Sequence, residues 1–295
     1  MTNTGKTVLW IIGIFFAFVF IFWISIWQII KSDNDDEFIK SSSSGTVAII
    51  ELNEVIEESG DIVRQLKKYK KNNSVRSILL RVNSPGGGVA ASQEIYDEVK
   101  KTRNSGIPVV VSMGSVAASG GYYISLGANK IMANPGTLTG SIGVIFEFMH
   151  FNKMFDKVGI STTTIKSGKY KDVGSPFRET KAEEKIRLQI MLDDVYAQFV
   201  DAVVIERKMS RQKAIELADG SVYTGRQAFE LGLIDSLGTY EDAIMLAGKL
   251  GGIDGEPSIL KEKKKEKFSD LLLSKIFSSV SEVKNETLLK YSFQY

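Results

Sequence analysis

One serine in this chain stands where a nucleophile could stand. Ser119 lies in the run Gly114 to Tyr123, GSVAASGGYY, with Ala117 two residues before it and Gly121 two after. Small residues at those spacings permit a sharp turn from a strand into a helix, which exposes the hydroxyl between them. The same run also fits a closely packed turn with no chemistry in it, and the spacing alone divides evenly between the two readings. A second glycine-rich stretch, Asn83 to Gly88 (NSPGGG), comes earlier in the chain. Three glycines after a proline can take positive φ and leave N–H groups uncovered, and the helix that follows adds its positive end, so such a loop can hold an oxyanion. Taken alone it reads first as an ordinary turn. It lacks the G-x-x-x-x-G-K-[ST] pattern of a phosphate loop.

A serine hydroxyl is a weak nucleophile until a base takes its proton. The chain holds one histidine, His150, at the end of the apolar run FEFMHF, a place that suits an edge or capping role better than catalysis. With no cysteine and no His/Asp/Glu cluster at ligand spacing, thiol and zinc chemistry have no support, and no cofactor is implied. Lysines remain, and three of them, Lys166, Lys169 and Lys171, fall in IKSGKYKDV. A lysine serves as base only if its pKa of about 10.4 drops by two to three units, which burial away from carboxylates can achieve. Lys171 is followed by Asp172, whose side chain must then point elsewhere. The pattern does not separate the three lysines.

The elements around these residues read as strand, helix, strand, helix, strand. Gly45 to Leu52, Val75 to Val82 and Pro108 to Met113 are apolar strands, with helices expected at Ser59 to Lys71 and Val89 to Thr102. That order implies a parallel α/β sheet with both glycine-rich turns at the C-terminal ends of strands, where such sheets place their ligands. Further strands are expected at Asn129 to Ala133, Ser141 to Met149 and Ser161 to Lys166, and a short helix at Phe151 to Val158. A long helix should run from about Lys181 to Lys208, followed by shorter ones at Ser210 to Asp219, Thr224 to Leu231 and Tyr240 to Leu250, with a short strand or turn at Leu233 to Leu237.

Before this domain, Val8 to Ile30 is a run of 23 residues without a charge, bracketed by Lys6 and Lys31 and carrying Trp10, Trp23 and Trp27. At about 1.5 Å per residue it suffices to cross a bilayer. It ends without a small-residue cleavage pattern and reads as a permanent anchor. The basic residues on its two sides nearly balance, while Asp33, Asp35, Asp36 and Glu37 and the absence of cysteine favour an extracytoplasmic domain. The expected organisation is an anchor over 1–31, a flexible tether over 32–44, a domain over 45–258 and a charged, amphipathic tail over 259–295. Beyond residue 31 the chain carries 35 basic and 35 acidic residues, because the first 31 hold two of the 37 basic residues and none of the acidic ones. That balance argues against a nucleic-acid partner.

Five segments in order, NSPGGG, GSVAASGGYYIS, TLTGSIGVI, IKSGKYKDVGSPFRE and ADGSVYTGRQAFELGLIDSLG, resemble bacterial signal peptide peptidase A over about Gly45 to Leu250. The resemblance implies a Clp protease/crotonase-like fold with a parallel sheet and flanking helices, preceded by one transmembrane helix. It also implies a membrane-bound serine endopeptidase with a Ser-Lys dyad that degrades cleaved signal peptides at the cell membrane. Carried across by motif, Ser119 matches the nucleophile, Lys171 the general base, Gly86 an oxyanion donor and Ser141 the residue that orients the lysine. The Gly120 N–H, next after the nucleophile, would be a second oxyanion donor. The family also has a form with two tandem halves, and this chain matches one half. The resemblance therefore implies a homo-oligomeric ring, an octamer, whose serine and lysine come from neighbouring subunits. The chain departs from the pattern in its tail after Lys261 and in IERKMS, where a glycine-containing turn is expected. The rival readings are a crotonase-type acyl-CoA enzyme, which needs no serine nucleophile, and a non-catalytic membrane scaffold, which would make Ser119 dispensable.

Overall fold

The expected strand–helix alternation resolves into a parallel sheet with helices on both faces. The computed structural model describes residues 36–40 and 45–262, with five isolated positions before them, Trp10, Phe16, Val19, Phe20 and Trp23. The anchor expected at Val8 to Ile30 and the tail after Lys261 fall, but for those positions and the first residues of the tail, outside the described residues. Among the described residues no helix is long and apolar enough to cross a membrane. Asp36–Lys40, inside the stretch read as a tether, forms a strand, β1, and the rest of 32–44 lies outside the described residues. Residues Phe38–Leu260 make up one compact unit.

The strands that build the sheet centre are β2 (Thr46–Asn53), β3 (Val75–Ser84), β4 (Val109–Ala118) and β5 (Lys130–Ala133), all parallel. With β8 (Ser236–Leu237) beyond β5 and β9 (Ser258–Glu262) beyond β2, the order is β1-β9-β2-β3-β4-β5-β8. Side chains alternate along each strand, so successive residues serve opposite faces. Ala48, Ile50, Ile78, Leu80, Val111 and Met113 pack under α1 (Gly60–Lys70), α2 (Val89–Asn104) and the helices that follow. Val47, Ile49, Leu79 and Val110 face the other way, onto Ala243, Ile244 and Ala247 of the last helix.

Strand β4 changes partner along its length. Val110 to Met113 pair with Lys130 to Ala133, whereas Val116, Ala117 and Ala118 pair with Leu138, Thr139 and Gly140 of β6 (Leu138–Gly140). Beyond β6, the antiparallel β7 (Val222–Thr224) closes the edge. This fork brings Ser119, at the end of β4, beside Gly140 and into the same corner as the turn that follows β3.

Two expected strands are absent. Ser141 to Met149 and Ser161 to Lys166 are assigned no β-structure, the true strand lying earlier, at Leu138–Gly140. Apolar alternation supplies the propensity for a strand, but a strand exists only where a neighbouring strand carries on the ladder, and beyond the Ser141 N–H, which donates to the Ser221 carbonyl at 2.8 Å, these segments have no partner strand among the described residues. Ile142 is buried in the core, but beyond it the chain forms an arm with most of its apolar side chains in water: Ile145 is 83% exposed, Met149 69% and Ile165 96%. Within the arm sits the short helix α4 (Asn152–Lys157), which follows α3 (Gly120–Ser125) in chain order and buries none of its residues.

The long helix α5 (Ala182–Arg207) follows, with Glu184 accepting from the Lys181 N–H at 2.9 Å to cap its first turn. Its first half exposes Ile186, Ile190 and Met191, and its second half buries Phe199, Val200 and Val203 in the core. The helix ends on Lys208 at φ 51°, the left-handed position that glycine usually fills, which is where IERKMS lacks the expected glycine. Helices α6 (Arg211–Leu217), α7 (Gly225–Glu230) and α8 (Tyr240–Leu250) complete the domain.

Candidate active site

Ser119 sits at φ 52°, ψ −119°, a region that side-chain-bearing residues seldom enter. The strain is held from both sides. The Ser119 N–H donates to the Gly140 carbonyl at 2.8 Å, the Tyr123 N–H donates to the Ser119 carbonyl at 2.9 Å, and Thr139 Oγ1 donates to the Ala117 carbonyl at 2.7 Å. The small residues of the run are what allow it: a Cβ on Gly121 would stand 3.0 Å from the Ser84 carbonyl oxygen. The result is a half-buried serine turned out of the backbone between β4 and α3.

The turn after β3 packs directly against it. A Cβ on Gly86 would come within 2.8 Å of the Gly120 nitrogen and 2.9 Å of Ser119 Cβ, and Gly86 takes φ 107°. Three contacts fix this turn. Ile56 donates its N–H to the Gly86 carbonyl at 2.9 Å and accepts from the Gly88 N–H at 2.7 Å, while Ser84 Oγ accepts from the Gly86 N–H at 3.1 Å. The Gly86 amide is thereby occupied. The Gly87 N–H has no partner among the described residues and, in this parallel bridge, faces away from Ile56. The Gly120 N–H, as the first residue of α3, has no partner within its helix. Sequence reasoning singled out Gly86 and passed over Gly87, since nothing in GGG tells which amide a neighbouring serine will take.

Two cavities open at Ser119. The smaller, about 30 Å³, is lined by Gly87, Gly120 and the apolar side chains of Val89, Tyr123, Val144 and Phe199. The larger, about 640 Å³, runs from Ser119 and Ser141 along Ile142 to Ile145 to the exposed side of α5. Ser141 therefore shares a cavity with Ser119, and it too has positive φ, 48°. His150 is exposed, bonds Thr180 Oγ1 through Nε2 at 3.1 Å and lines neither cavity.

The lysines separate by their partners. Lys166 donates to the Lys169 carbonyl at 3.0 Å and pairs with Asp172; Lys169 pairs with Glu183, whose hydrogen bond raises the lysine's pKa. Lys171 makes no side-chain hydrogen bond or ion pair among the described residues. Arg178 grips the Asp172 carboxylate at 2.8 Å and, with both terminal nitrogens, the Glu184 carboxylate at 2.6 and 2.8 Å. The Arg178 hydrogen bonds hold the Asp172 carboxyl well below the usual range and Glu184 at about 2. The condition placed on Asp172 is met: its carboxylate is turned to Arg178 and Lys166. Lys171 is nonetheless exposed and lines neither cavity at Ser119. Among the described residues no cluster of three or more His, Asp or Glu is placed to hold a metal ion.

Residues 101–254 match the model of peptidase family S49, and residues 42–137 match that of Clp protease. The chain belongs to peptidase family S49. It is 46% identical over 217 residues to a candidate protease of Synechocystis sp., covering 73% of this chain and 78% of the relative. With a candidate signal peptide peptidase SppA of Enterococcus faecium it shares 38% over 218 residues, 70% of this chain and 63% of the other. The chloroplastic serine protease SPPA of Arabidopsis thaliana is 38% identical over 192 residues, 65% of this chain but only 27% of that protein. The sheet is thus that of the Clp protease-like fold, and the chain is an S49 serine protease of the short, SppA-like form.

Proposed function

We propose that this S49 protease is a membrane-anchored endopeptidase that degrades released signal peptides and other apolar peptides, with Ser119 as nucleophile and Lys171 as general base. The observation that carries the reading is the convergence, at the floor of an apolar cavity, of the strained Ser119 with two N–H groups, of Gly87 and Gly120, that have no acceptor among the described residues. Ser119 Oγ attacks the scissile carbonyl and its proton passes to the free amine of Lys171. The oxyanion forms against the Gly87 and Gly120 N–H groups, the Gly86 amide being taken by Ser84. The C–N bond then breaks, the lysine returns its proton to the leaving amine, and water resolves the acyl-enzyme by the same route. Ser141, on the wall of the larger cavity, orients the lysine.

Lys171 reaches that cavity from a neighbouring subunit. Three features support this: the lysine lies outside both cavities of its own chain, its amine has no partner among the described residues, and it sits on an arm whose exposed apolar residues suit burial against another copy. The assembly is a homo-oligomeric ring, an octamer, with the dyad shared across each junction. The anchor at Val8 to Ile30 holds the ring on the bacterial cell membrane through lipid contacts, with the catalytic domain on the extracytoplasmic side. A serine-directed acylating probe and a fluorogenic apolar peptide test the mechanism. Ser119→Ala must lose both labelling and hydrolysis, and activity that survives in the purified variant overturns it. Mixing Ser119→Ala with Lys171→Ala chains, dissociated and reassembled, tests the sharing. Hybrid rings regain activity if the dyad spans two chains and stay inactive if it does not.

A further inference from the structure

Four residues after the third glycine of NSPGGG, a hydroxyl lies in the lining of the small cavity beside Ser119 that neither the dyad nor the oxyanion donors account for. It belongs to Ser92, on the first turn of α2 and only 3% exposed. Ser92 Oγ donates to the Gly88 carbonyl at 2.9 Å, and the same carbonyl accepts the Ser92 N–H at 3.0 Å. On its other side the oxygen abuts Gly120. A Cβ built on Gly120 would meet Ser92 Oγ at 2.5 Å, whereas the next atoms, the Gly87 nitrogen and Gly86 Cα, stand at 3.3 and 3.4 Å. One oxygen is thus tied to the turn that carries the Gly87 N–H and pressed against the residue that carries the Gly120 N–H.

We propose that Ser92 is a positioning residue that sets the separation between the two N–H donors of the oxyanion hole. The inference rests on the reading of Ser119 as nucleophile with Gly87 and Gly120 as donors. The two turns share no hydrogen bond with each other at this point; the Gly86–Gly88 turn is pinned to Ile56 and Ser84, and Ser119 is pinned to Gly140. What spans the gap is van der Waals contact, and Ser92 Oγ is its closest part. A hydroxyl fits because it can be tethered by its own donated bond while its oxygen is smaller than a methyl group. Without it the Gly88 carbonyl loses one of two donors and Gly120 loses the atom it rests on. The donors are then free to drift from an arrangement matched to the transition-state oxyanion, an error that affects turnover and not ground-state binding.

The test uses the full chain with an apolar fluorogenic peptide and a peptide aldehyde of the same sequence, which forms a tetrahedral adduct with a serine. Ser92→Ala is expected to lower kcat about tenfold with KM within about twofold, and to weaken aldehyde binding by the same factor as kcat. Unchanged kcat and aldehyde affinity in folded Ser92→Ala overturns the proposal. A second pair guards against misfolding. Gly120→Ala should lose about a hundredfold in kcat because its new methyl group meets Ser92 Oγ, and Ser92→Gly in the same chain should return about a tenfold part of that loss by vacating the space. A double variant no more active than Gly120→Ala also overturns the proposal. Ser119→Ala in parallel keeps the two readings apart. If Ser119→Ala retains activity the nucleophile reading fails, and if it is inactive while the Ser92 variants behave as wild type only the spacing role fails.

Discussion

The three glycines of NSPGGG should not respond alike to alanine, and the structure sets the first two apart from the third. At Gly87 a Cβ would stand 2.2 Å from the Ile56 carbonyl oxygen and 2.6 Å from the Ile56 nitrogen. Both are backbone atoms of the bridge that pins the turn, so neither can yield without breaking it. Gly87→Ala therefore displaces an N–H donor, and loss of one such donor costs about a hundredfold to a thousandfold in kcat, roughly 2.7–4 kcal/mol. At Gly86 the Cβ would meet the Gly120 nitrogen at 2.8 Å and Ser119 Cβ at 2.9 Å, at a φ of 107° that alanine avoids, so a loss of the same order is expected. Gly88 differs, with φ −58°, ψ 127° and its nearest neighbour, the Ile56 carbonyl oxygen, at 3.4 Å. Gly88→Ala should keep kcat within about twofold and stability within about 1 kcal/mol. Steady-state kinetics on a fluorogenic apolar peptide, with circular dichroism melts as a fold control, decide the matter. A folded Gly87→Ala with wild-type kcat, or a Gly88→Ala as inactive as Gly87→Ala, would refute the oxyanion geometry.

Other outcomes follow from the same contacts. Lys171→Ala should abolish hydrolysis while Lys166→Ala and Lys169→Ala retain most of it, since the latter amines are committed to Asp172 and Glu183; the reverse pattern in steady-state assays would reassign the base. The Asp172 and Glu184 carboxyls are depressed by Arg178, so the stability they contribute is complete above about pH 5 and lost progressively as pH falls through the unfolded values toward the folded ones. Limited proteolysis should thus leave the loop 167–180 intact at pH 5 and nick it below about pH 3, and Arg178→Ala should open it even at neutral pH. Lys208→Gly should relieve the left-handed strain at the end of α5 and gain about 1 kcal/mol, a rise of about 2–4 °C in Tm, which a lowered Tm would contradict.

How far the sequence could be read depended on whether a feature is local. The strands β2 to β5 were visible because their apolar runs are buried on both faces of a parallel sheet, and α5 because its 26 residues hold neither glycine nor proline and are rich in helix formers. Leu138–Gly140 was missed since three residues carry no period, and its strand exists only through Val116 to Ala118 on one side and Val222 to Thr224 on the other. Ser141 to Met149 misled for the opposite reason, having strand composition with no partner strand among the described residues. Ser119 was legible from the small residues that its turn requires. That the Gly87 amide is left without a partner among the described residues was not, because which glycine N–H is taken depends on Ser84 and on Ile56, some thirty residues earlier. Pattern likewise could not separate the three lysines, whose partners, Asp172 for Lys166 and Glu183 for Lys169, are set by the fold of the loop and the start of α5.

The unpartnered arm between Gly143 and Lys166 also bears on how the chain is made. A newly synthesised copy shows water the side chains of Ile145, Met149, Val158, Ile160 and Ile165 as soon as its domain has folded. Such a surface is an aggregation hazard for every moment it stays uncovered, and its backbone, unpaired along most of its length, can template stray β-pairing. Under the ring assembly proposed above, biogenesis is a race between finding a correct neighbour and finding a wrong one. Under the anchoring proposed above, confinement to two dimensions would bias that race, because copies tethered in one plane meet edge to edge in similar orientations. Freed from that plane, the same domain should be soluble only at low concentration or in company, and a chaperone that shields the arm would govern its yield more than its thermodynamic stability does.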